Sequence, residues 1–394
     1  MNNSFPLLTQ RPSMVSEAAR AVSACLENGD WGDYLPAERE LCDLLGVSRS
    51  TLRFALRRLQ TDGLIQVEHG KKTRILKRGR EASGKKSAEQ RTILVLTTST
   101  DRNSLQTGAF WLDEYRQMSG KIGFVVVNEF LPQVGTRGLQ EALFVLRAKY
   151  RPSLWVLVAS DRRLHALLHR LQWPVVVGGS VYPDLLLPGV DVDYRATCRQ
   201  AVGQLARLGH RRLGLVVAKQ TLPGDDHSIQ GFEEGLSAHR GGEIEGVTLR
   251  VDSRSESVFL ALRREYARAR PATALITCRP QVSLSVITAL AALGRTVPRH
   301  VSLIARDYNA SILDPVWPEL ASYRCDPAIL ARKMLSLSRK FIAGEPPEAS
   351  QFFFMPEYHP GASAPLSGGG GTPFAREPVA NNPAPGTGSR RLRG

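Results

Sequence analysis

Apolar and polar positions follow one rhythm over the first seventy or so residues of this chain and another after it. In residues 13–28, Val15, Ala18, Ala19, Val22, Cys25 and Leu26 share one side of a helical repeat and Gly29 closes the run, so an amphipathic buttressing helix is expected. Behind Pro36, tolerated in a first turn because its missing N–H would be unpaired anyway, Leu41, Leu44 and Leu45 predict a second helix ending at Gly46. Ser48 offers a side-chain oxygen to cap a third, where Leu52, Ala55, Leu56 and Leu59 recur at i, i+3, i+4 and i+7. Gly63 stops it. Ile65 and Val67 then alternate as a strand, Glu68-His69-Gly70-Lys71 reads as a tight turn, and residues 73–76 can return antiparallel.

From residue 91 the pattern becomes short, nearly continuous apolar runs separated by helical stretches. Residues 92–97, 121–128, 153–159 and 174–178 form one series, with helices over 139–149 and 162–171. Residues 212–218, 246–251, 274–277 and 301–305 form a second, with helices over 196–208, 229–239, 257–270 and 282–293. Runs of that kind are strands buried on both faces of a parallel sheet, so two α/β lobes are expected. Ligands of such sheets bind at the carboxyl ends of strands, and the cleft between two lobes is the expected site. Between the two regions, residues 78–90 (RGREASGKKSAEQ) are polar without apolar periodicity and read as a flexible linker. The last stretch, 364–394, is rich in Gly, Pro, Ser and Asn and ends on Arg390, Arg391 and Arg393, the composition of a disordered basic tail. The expected domains are therefore 1–77, 78–90, 91–363 and 364–394.

Charge sharpens the picture by its position. The chain of 394 residues carries a formal net charge of +15, which alone is a weak argument for a polyanionic partner. Between positions 49 and 80, however, ten Lys and Arg face two Asp and Glu, about half of the excess. Arg49, Arg53, Arg57 and Arg58 occupy the polar side of the third helix, with Ser50 and Thr51 at its N-terminal end, where a major-groove recognition helix presents its side chains. Five cysteines lie far apart with no CxxC pair, so neither a metal site nor a disulfide framework is indicated, and no cofactor is expected. Neither a signal-peptide pattern nor a bilayer-length apolar run is seen, which favours the cytoplasm and no membrane partner. Cys278, His210, His227 and His300 come without GxSxG, HExxH, Walker or strand-linked GxGxxG motifs, so catalysis is not expected.

The stretch LPAERELCDLLGVSRSTLRFALRRLQTDGLIQVEHGKKTRIL closely resembles the winged helix-turn-helix of the GntR family of transcription regulators, whose signature is PxERELxxxxGVSRxTxRxALxxLxxxGLI. The resemblance implies that Arg39, Ser48, Arg49, Ser50, Thr51 and Arg53 touch double-stranded operator DNA, and that His69 and Gly70, with Lys71, enter the minor groove from the wing. The region from 91 to 363 resembles the effector domain of LacI/GalR regulators, which has the periplasmic-binding-protein fold. VDVDYRATCRQAVGQLARLGHRRLGLVVA, GFEEGL, PATALITC, ALAALGRTVPRHVSLIARDYN and ARKMLSLSRKFIAGEPP carry it, in order. Together the two resemblances imply an α/β protein with an N-terminal winged helix-turn-helix and a two-lobed sensor with parallel sheets. They also imply a repressor that binds a palindromic or repeated operator as a homodimer.

The sensor departs from its family where sugars would be clasped. Asp307 in IARDYN matches the Asp of GFDD, but Ala305-Arg306 replaces its Gly-Phe; Arg279-Pro280 replaces an Asn-Asp pair, Ser228 replaces an Arg, and Gly178-Gly179-Ser180 replaces an acidic residue. The linker also lacks the family's apolar hinge helix. The effector-binding candidates are Ser99, Gly178, Ser228, Arg279 and Asp307. Arg279 and Arg306 make an anionic small molecule the expected effector, because a guanidinium forks onto carboxylate or phosphate oxygens. The same two arginines could instead be ion-pair partners, and the sensor could have lost its effector and serve only dimerisation.

Overall fold

The computed structural model describes residues 14–27, 31–67, 72–76, 91–98, 110–131, 135–219, 222–239, 244–252, 254–345 and 350–365. The wing-turn residues His69, Gly70 and Lys71, Ser99, the linker 78–90 and nearly all of the tail lie outside them. The chain forms two units: one comprises residues 1–193, 222–224 and 325–354, the other 194–221, 225–324 and 355–394.

The first unit begins with a helical head. Helices α1 (Met14–Glu27), α2 (Glu38–Leu45) and α3 (Arg49–Thr61) meet over Ala18, Val22, Leu26, Leu41, Leu52, Leu56 and Leu59, the residues on the expected apolar faces. Gly46 ends α2 in the left-handed conformation at φ 64°, and Ser48 caps α3 by accepting from the Thr51 amide at 3.1 Å. Such a cap stabilises a helix by about 1 kcal/mol. Strands β1 (Ile65–Gln66) and β2 (Arg74–Ile75) pair antiparallel as the wing, and Tyr34 adds a third bridging position opposite Arg74. The Leu35 amide donates to the Thr73 carbonyl at 2.9 Å, so the turn before α2 is stitched into the wing.

The same unit continues as an α/β lobe. In chain order it holds β3 (Arg91–Thr97), α4 (Leu112–Lys121), β4 (Phe124–Phe130), α5 (Thr136–Tyr150), β5 (Leu154–Val158), α6 (Arg162–Leu171), β6 (Val175–Gly178) and β7 (Gly189–Val192). Its sheet, completed by the later strand β13 (Gln351–Phe354) and running in the order β13-β7-β6-β5-β3-β4, is parallel throughout. Every residue of β5 and β6 is buried, as continuous apolar runs demand.

The head is docked on this lobe. A single apolar cluster runs from Val22, Leu45 and Ile65 of the head into Leu139, Leu143 and Phe144 of α5 and on to Trp155 and Trp173. Buried Gln140 on α5 donates to the Asp43 carbonyl of α2 at 2.9 Å, and the stem of Arg137 lies against Gly46. Arg147 stacks on Trp173 at 4.2 Å, and burial holds its pKa below the usual arginine range. The apolar surface of α1 and α2 is thus covered by α5.

The second unit contains α7 (Tyr194–Arg207), β8 (Arg212–Ala218), α8 (Pro223–Ser237, whose first residues belong to the first unit), β9 (Glu245–Val251), α9 (Ser255–Tyr266), β10 (Ala274–Thr277), α10 (Pro280–Ala292), β11 (Ser302–Ala305), α11 (Ala310–Leu313) and β12 (Ala321–Arg324). The chain then adds α12 (Pro327–Ile342) and β13 (Gln351–Phe354) to the first unit and β14 (Glu357–His359) to the second. The second sheet runs β14-β12-β11-β10-β8-β9, parallel except for antiparallel β14. Gly231 is required there because a Cβ would strike the Arg195 carbonyl where α7 and α8 meet. His210 closes the turn into β8 by sharing a hydrogen bond with Thr273 at 2.9 Å. Buried Ser363 accepts from the Ala321 amide and donates to the Leu303 carbonyl, which ties the end of the lobe into its sheet.

Candidate functional site: an arginine-faced helix and a charged knot

Helix α3 turns its apolar face to α1 and α2, which leaves Arg49, Ser50, Arg53, Phe54 and Arg57 exposed. Arg39 on α2 is also exposed. The polar residues at the start of α3 are partly committed already. Ser48 Oγ caps the helix and shares hydrogen bonds with Ser50 Oγ and Thr51 Oγ1, each at 2.8 Å, so Ser48 shapes the end of the reading helix.

The arginines divide by what they touch. Arg53 lies across α2 with its Nε 3.1 Å from Glu38 Oε2, and both side chains are open to solvent at 61% and 41%. An exposed pair of this kind is worth at most about 1 kcal/mol, so it pre-orients Arg53 and still leaves it free to exchange Glu38 for another partner. Arg58 instead turns back to Ser16 on α1 at 3.2 Å, and that takes it off the reading face. Phe54 is 53% exposed with the Arg57 guanidinium 4.5 Å above its ring. Helical phase alone would have placed Phe54 on the polar side, but its residue type hid it among the arginines.

The other sequence-derived residues separate between the units. Ser228, Arg279 and Asp307 come together in the second, at the carboxyl ends of β10 and β11 and the first turns of α8. Arg306 is at their centre, 5% exposed. Its Nε and Nη2 reach the two Asp307 oxygens at 2.9 and 2.7 Å, its Nη1 donates to Ser228 Oγ at 2.6 Å, and its Nη2 donates to the Cys278 carbonyl at 2.6 Å. Asp225 lies 3.8 Å from Arg306 and accepts from Arg279 at 2.7 Å. The Tyr194 ring stacks on the Arg306 guanidinium at 3.9 Å.

Two guanidiniums and two carboxylates thus close a neutral knot. Burial by itself would lower the Arg306 pKa, but Asp307, Cys278 and Tyr194 together outweigh it and hold the group well above the usual arginine range. A buried charge persists only when it is paired and hydrogen-bonded like this. The ion-pair alternative for Arg279 and Arg306 is what the geometry contains, and their forks are directed at Asp225 and Asp307. Asp225 carried no sequence signal, because its partners lie 54 and 81 positions away. The serine at 228, where the resemblance places an arginine, accepts from a guanidinium supplied by the residue after β11.

Gly178 belongs to the first unit, and the space its missing side chain leaves is filled by the Trp111 indole. That packing explains the glycine without a ligand. Beyond β6, Ser180 donates to Asp191 at 2.6 Å, and beyond β5, Ser160 shares a hydrogen bond with His165 Nε2 at 2.8 Å. Burial pushes His165 down to about 4. Among the described residues no group of three or more His, Cys, Asp or Glu could hold a metal ion, and no helix is long and apolar enough to cross a membrane.

Comparison with known proteins agrees with both halves. Residues 16–75 match the bacterial regulatory proteins of the gntR family, and residues 186–364 match a periplasmic binding protein-like domain. The HTH-type transcriptional regulator CelR of Thermobifida fusca is 27% identical over 190 residues, 48% of this chain and 56% of that protein. A fatty acid metabolism regulator protein of Pasteurella multocida is 43% identical over 76 residues, 19% of this chain and 32% of that protein. The chain thus spans only about half, or a third, of the length of these relatives. Among solved structures, a CelR–cellobiose complex superposes with a TM-score of 0.61 at 19% identity, covering 84% of this chain and 100% of that one. A LacI family regulator from Enterococcus faecium with bound ribose gives 0.57 at 16%, covering 69% and 98%. At these identities the likeness establishes the fold. The chain therefore joins a stretch that matches the gntR family model to one that matches a periplasmic binding protein-like domain.

Proposed function

We propose that this protein is a ligand-responsive transcription regulator, a repressor that binds operator DNA as a homodimer. The exposed Arg49, Arg53, Phe54 and Arg57 face of a capped helix in a gntR-type domain carries that reading. Arg53 reads a base edge in the major groove, Arg39 and Arg49 hold phosphates, and two heads engage half-sites on successive turns of the duplex.

The effector is a small molecule that meets the carboxyl-end face of the second unit, at Asp307, Arg279 and Ser228. Because Arg279 and Arg306 are already neutralised by Asp225 and Asp307, the knot favours a neutral, hydroxyl-rich ligand over the anionic one expected from residue types alone. The cellobiose and ribose named for the two structural neighbours are of that class. A ligand shifts DNA binding only through differential affinity for two conformations.

The test is recovery of genomic fragments bound by the protein, then titration of the best fragment by fluorescence anisotropy with and without a panel of sugars, polyols and organic acids. Release or tightening by a neutral polyol supports the reading. Binding of an organic acid alone would overturn the ligand class. Operator binding indifferent to every compound would favour a sensor that serves dimerisation only.

A further inference from the structure

The seam between head and lobe is not closed along its whole length. A cavity of about 520 Å³ opens between α1, the end of α2 and α5. Its walls are Met14, Ala18, Ala21, Leu45, Val47, Phe144, Val145 and Ala148, with Arg20, Glu141 and Lys149 also lining it. The space exists because Ala18, Ala21 and Ala148 face it where longer side chains would interlock; protein interiors seldom leave such room unfilled. Val145 is 60% and Met14 44% exposed on its rim, an unusual pair to leave facing water in one place. The volume lies in the range of small-molecule sites.

We propose that this cavity is a second ligand site, distinct from the charged knot, for a small amphipathic anion: an apolar tail between α1 and α5, and a carboxylate held by Arg20. Lys149 is already paired with Glu129 at 3.3 Å and Glu141 with Arg137 at 3.2 Å, so the charge the lining offers an anionic head is that of Arg20 on α1. A molecule seated there touches both the DNA-binding head and the lobe's α5, so its occupancy tightens the docking that Gln140 and Phe144 maintain.

The site can be tested without DNA, so its failure is separable from that of the regulator reading. Decanoate, decanol and butyrate are titrated into the full chain by calorimetry, with melting temperature followed in parallel. Decanoate is expected to bind one per chain and to raise the melting temperature, and butyrate to do neither. Ala148→Trp and Ala21→Trp fill the cavity from opposite walls, and Ala148 is exposed enough to accept the change; each should weaken decanoate at least about tenfold. Arg20→Gln should weaken decanoate about threefold to fivefold and leave decanol unaffected. Absence of saturable binding, binding undiminished in both tryptophan variants, or equal affinity for decanoate and decanol that ignores Arg20→Gln would each overturn the proposal.

Discussion

The side-chain amide of Gln140 on α5 donates to the backbone carbonyl of Asp43 across 2.9 Å. Asp43 lies in the last turn of α2, where a carbonyl has no partner within its own helix, so the α/β lobe satisfies a group that the head leaves open. Gln140→Leu should keep the volume and strand that carbonyl, costing about 1–3 kcal/mol. Hydrogen exchange should quicken in α1 and α2 while β5 and β6 keep their protection. Uniform loss of protection across the lobe would show that the bond supports the whole unit instead of the seam.

The charged knot predicts an asymmetry. Arg306→Met removes the guanidinium that pairs Asp307 and leaves Asp225 with Arg279, and should destabilise the protein by about 3–5 kcal/mol in urea unfolding. Ser228→Ala removes one hydrogen-bond acceptor of the same guanidinium and should cost about 1–2 kcal/mol. The double variant should lose little more than Arg306→Met alone, because both changes act on one contact. Additive losses would mean that the 2.6 Å bond to Ser228 contributes nothing.

Most of the head was legible in the sequence because each boundary has a local cause: Gly46 and Gly63 at positive φ, Ser48 as a cap, leucines in helical phase. Long apolar strands were legible for the same reason. The equally short β6, β10 and β11 sit in apolar runs that announced them, but β7, β12, β13 and β14 were not singled out, and α4 (LDEYRQMSGK) has only a weak apolar face. The sites divide similarly. Ser228, Arg279 and Asp307 could be named by alignment of motifs, but the pairing of Asp225 with Arg279 and Arg306 joins distant segments, and so does the contact of Gln140 with a carbonyl 97 positions earlier. Nothing in a linear pattern tells a free guanidinium from a satisfied one.

Two buried histidines predict acid sensitivity. Burial lowers both His165 and His210 from about 6.5 to about 4, although Asp161 opposes the shift at His165. Each folded pKa lies below its unfolded value, so the unfolded chain binds the extra proton first. Stability is therefore intact above about pH 6.5 and falls as pH drops from there to about 4, by at most about 3 kcal/mol per histidine. His165→Gln and His210→Gln should each flatten the curve of unfolding free energy against pH in that window, whatever they do at pH 7.5. An unchanged slope in both variants would place the acid sensitivity on carboxylates.

Arg53, Arg49 and Arg58 share one helix but should behave differently on DNA. Glu38 orients Arg53 across α2, so Arg53→Ala should lose about 1–3 kcal/mol on the best operator and far less on scrambled duplex. Arg49→Ala should weaken both duplexes alike and reduce the slope of log affinity against log salt by about one. Arg58 donates to Ser16 on α1, so Arg58→Ala should leave operator affinity within about twofold of the original and act on stability instead. Anisotropy titrations of the three variants at several salt concentrations distinguish these roles. Equal losses for Arg53→Ala on operator and scrambled DNA would reduce Arg53 to a phosphate contact. A large operator loss for Arg58→Ala would mean that the head turns that side chain outward when it meets DNA.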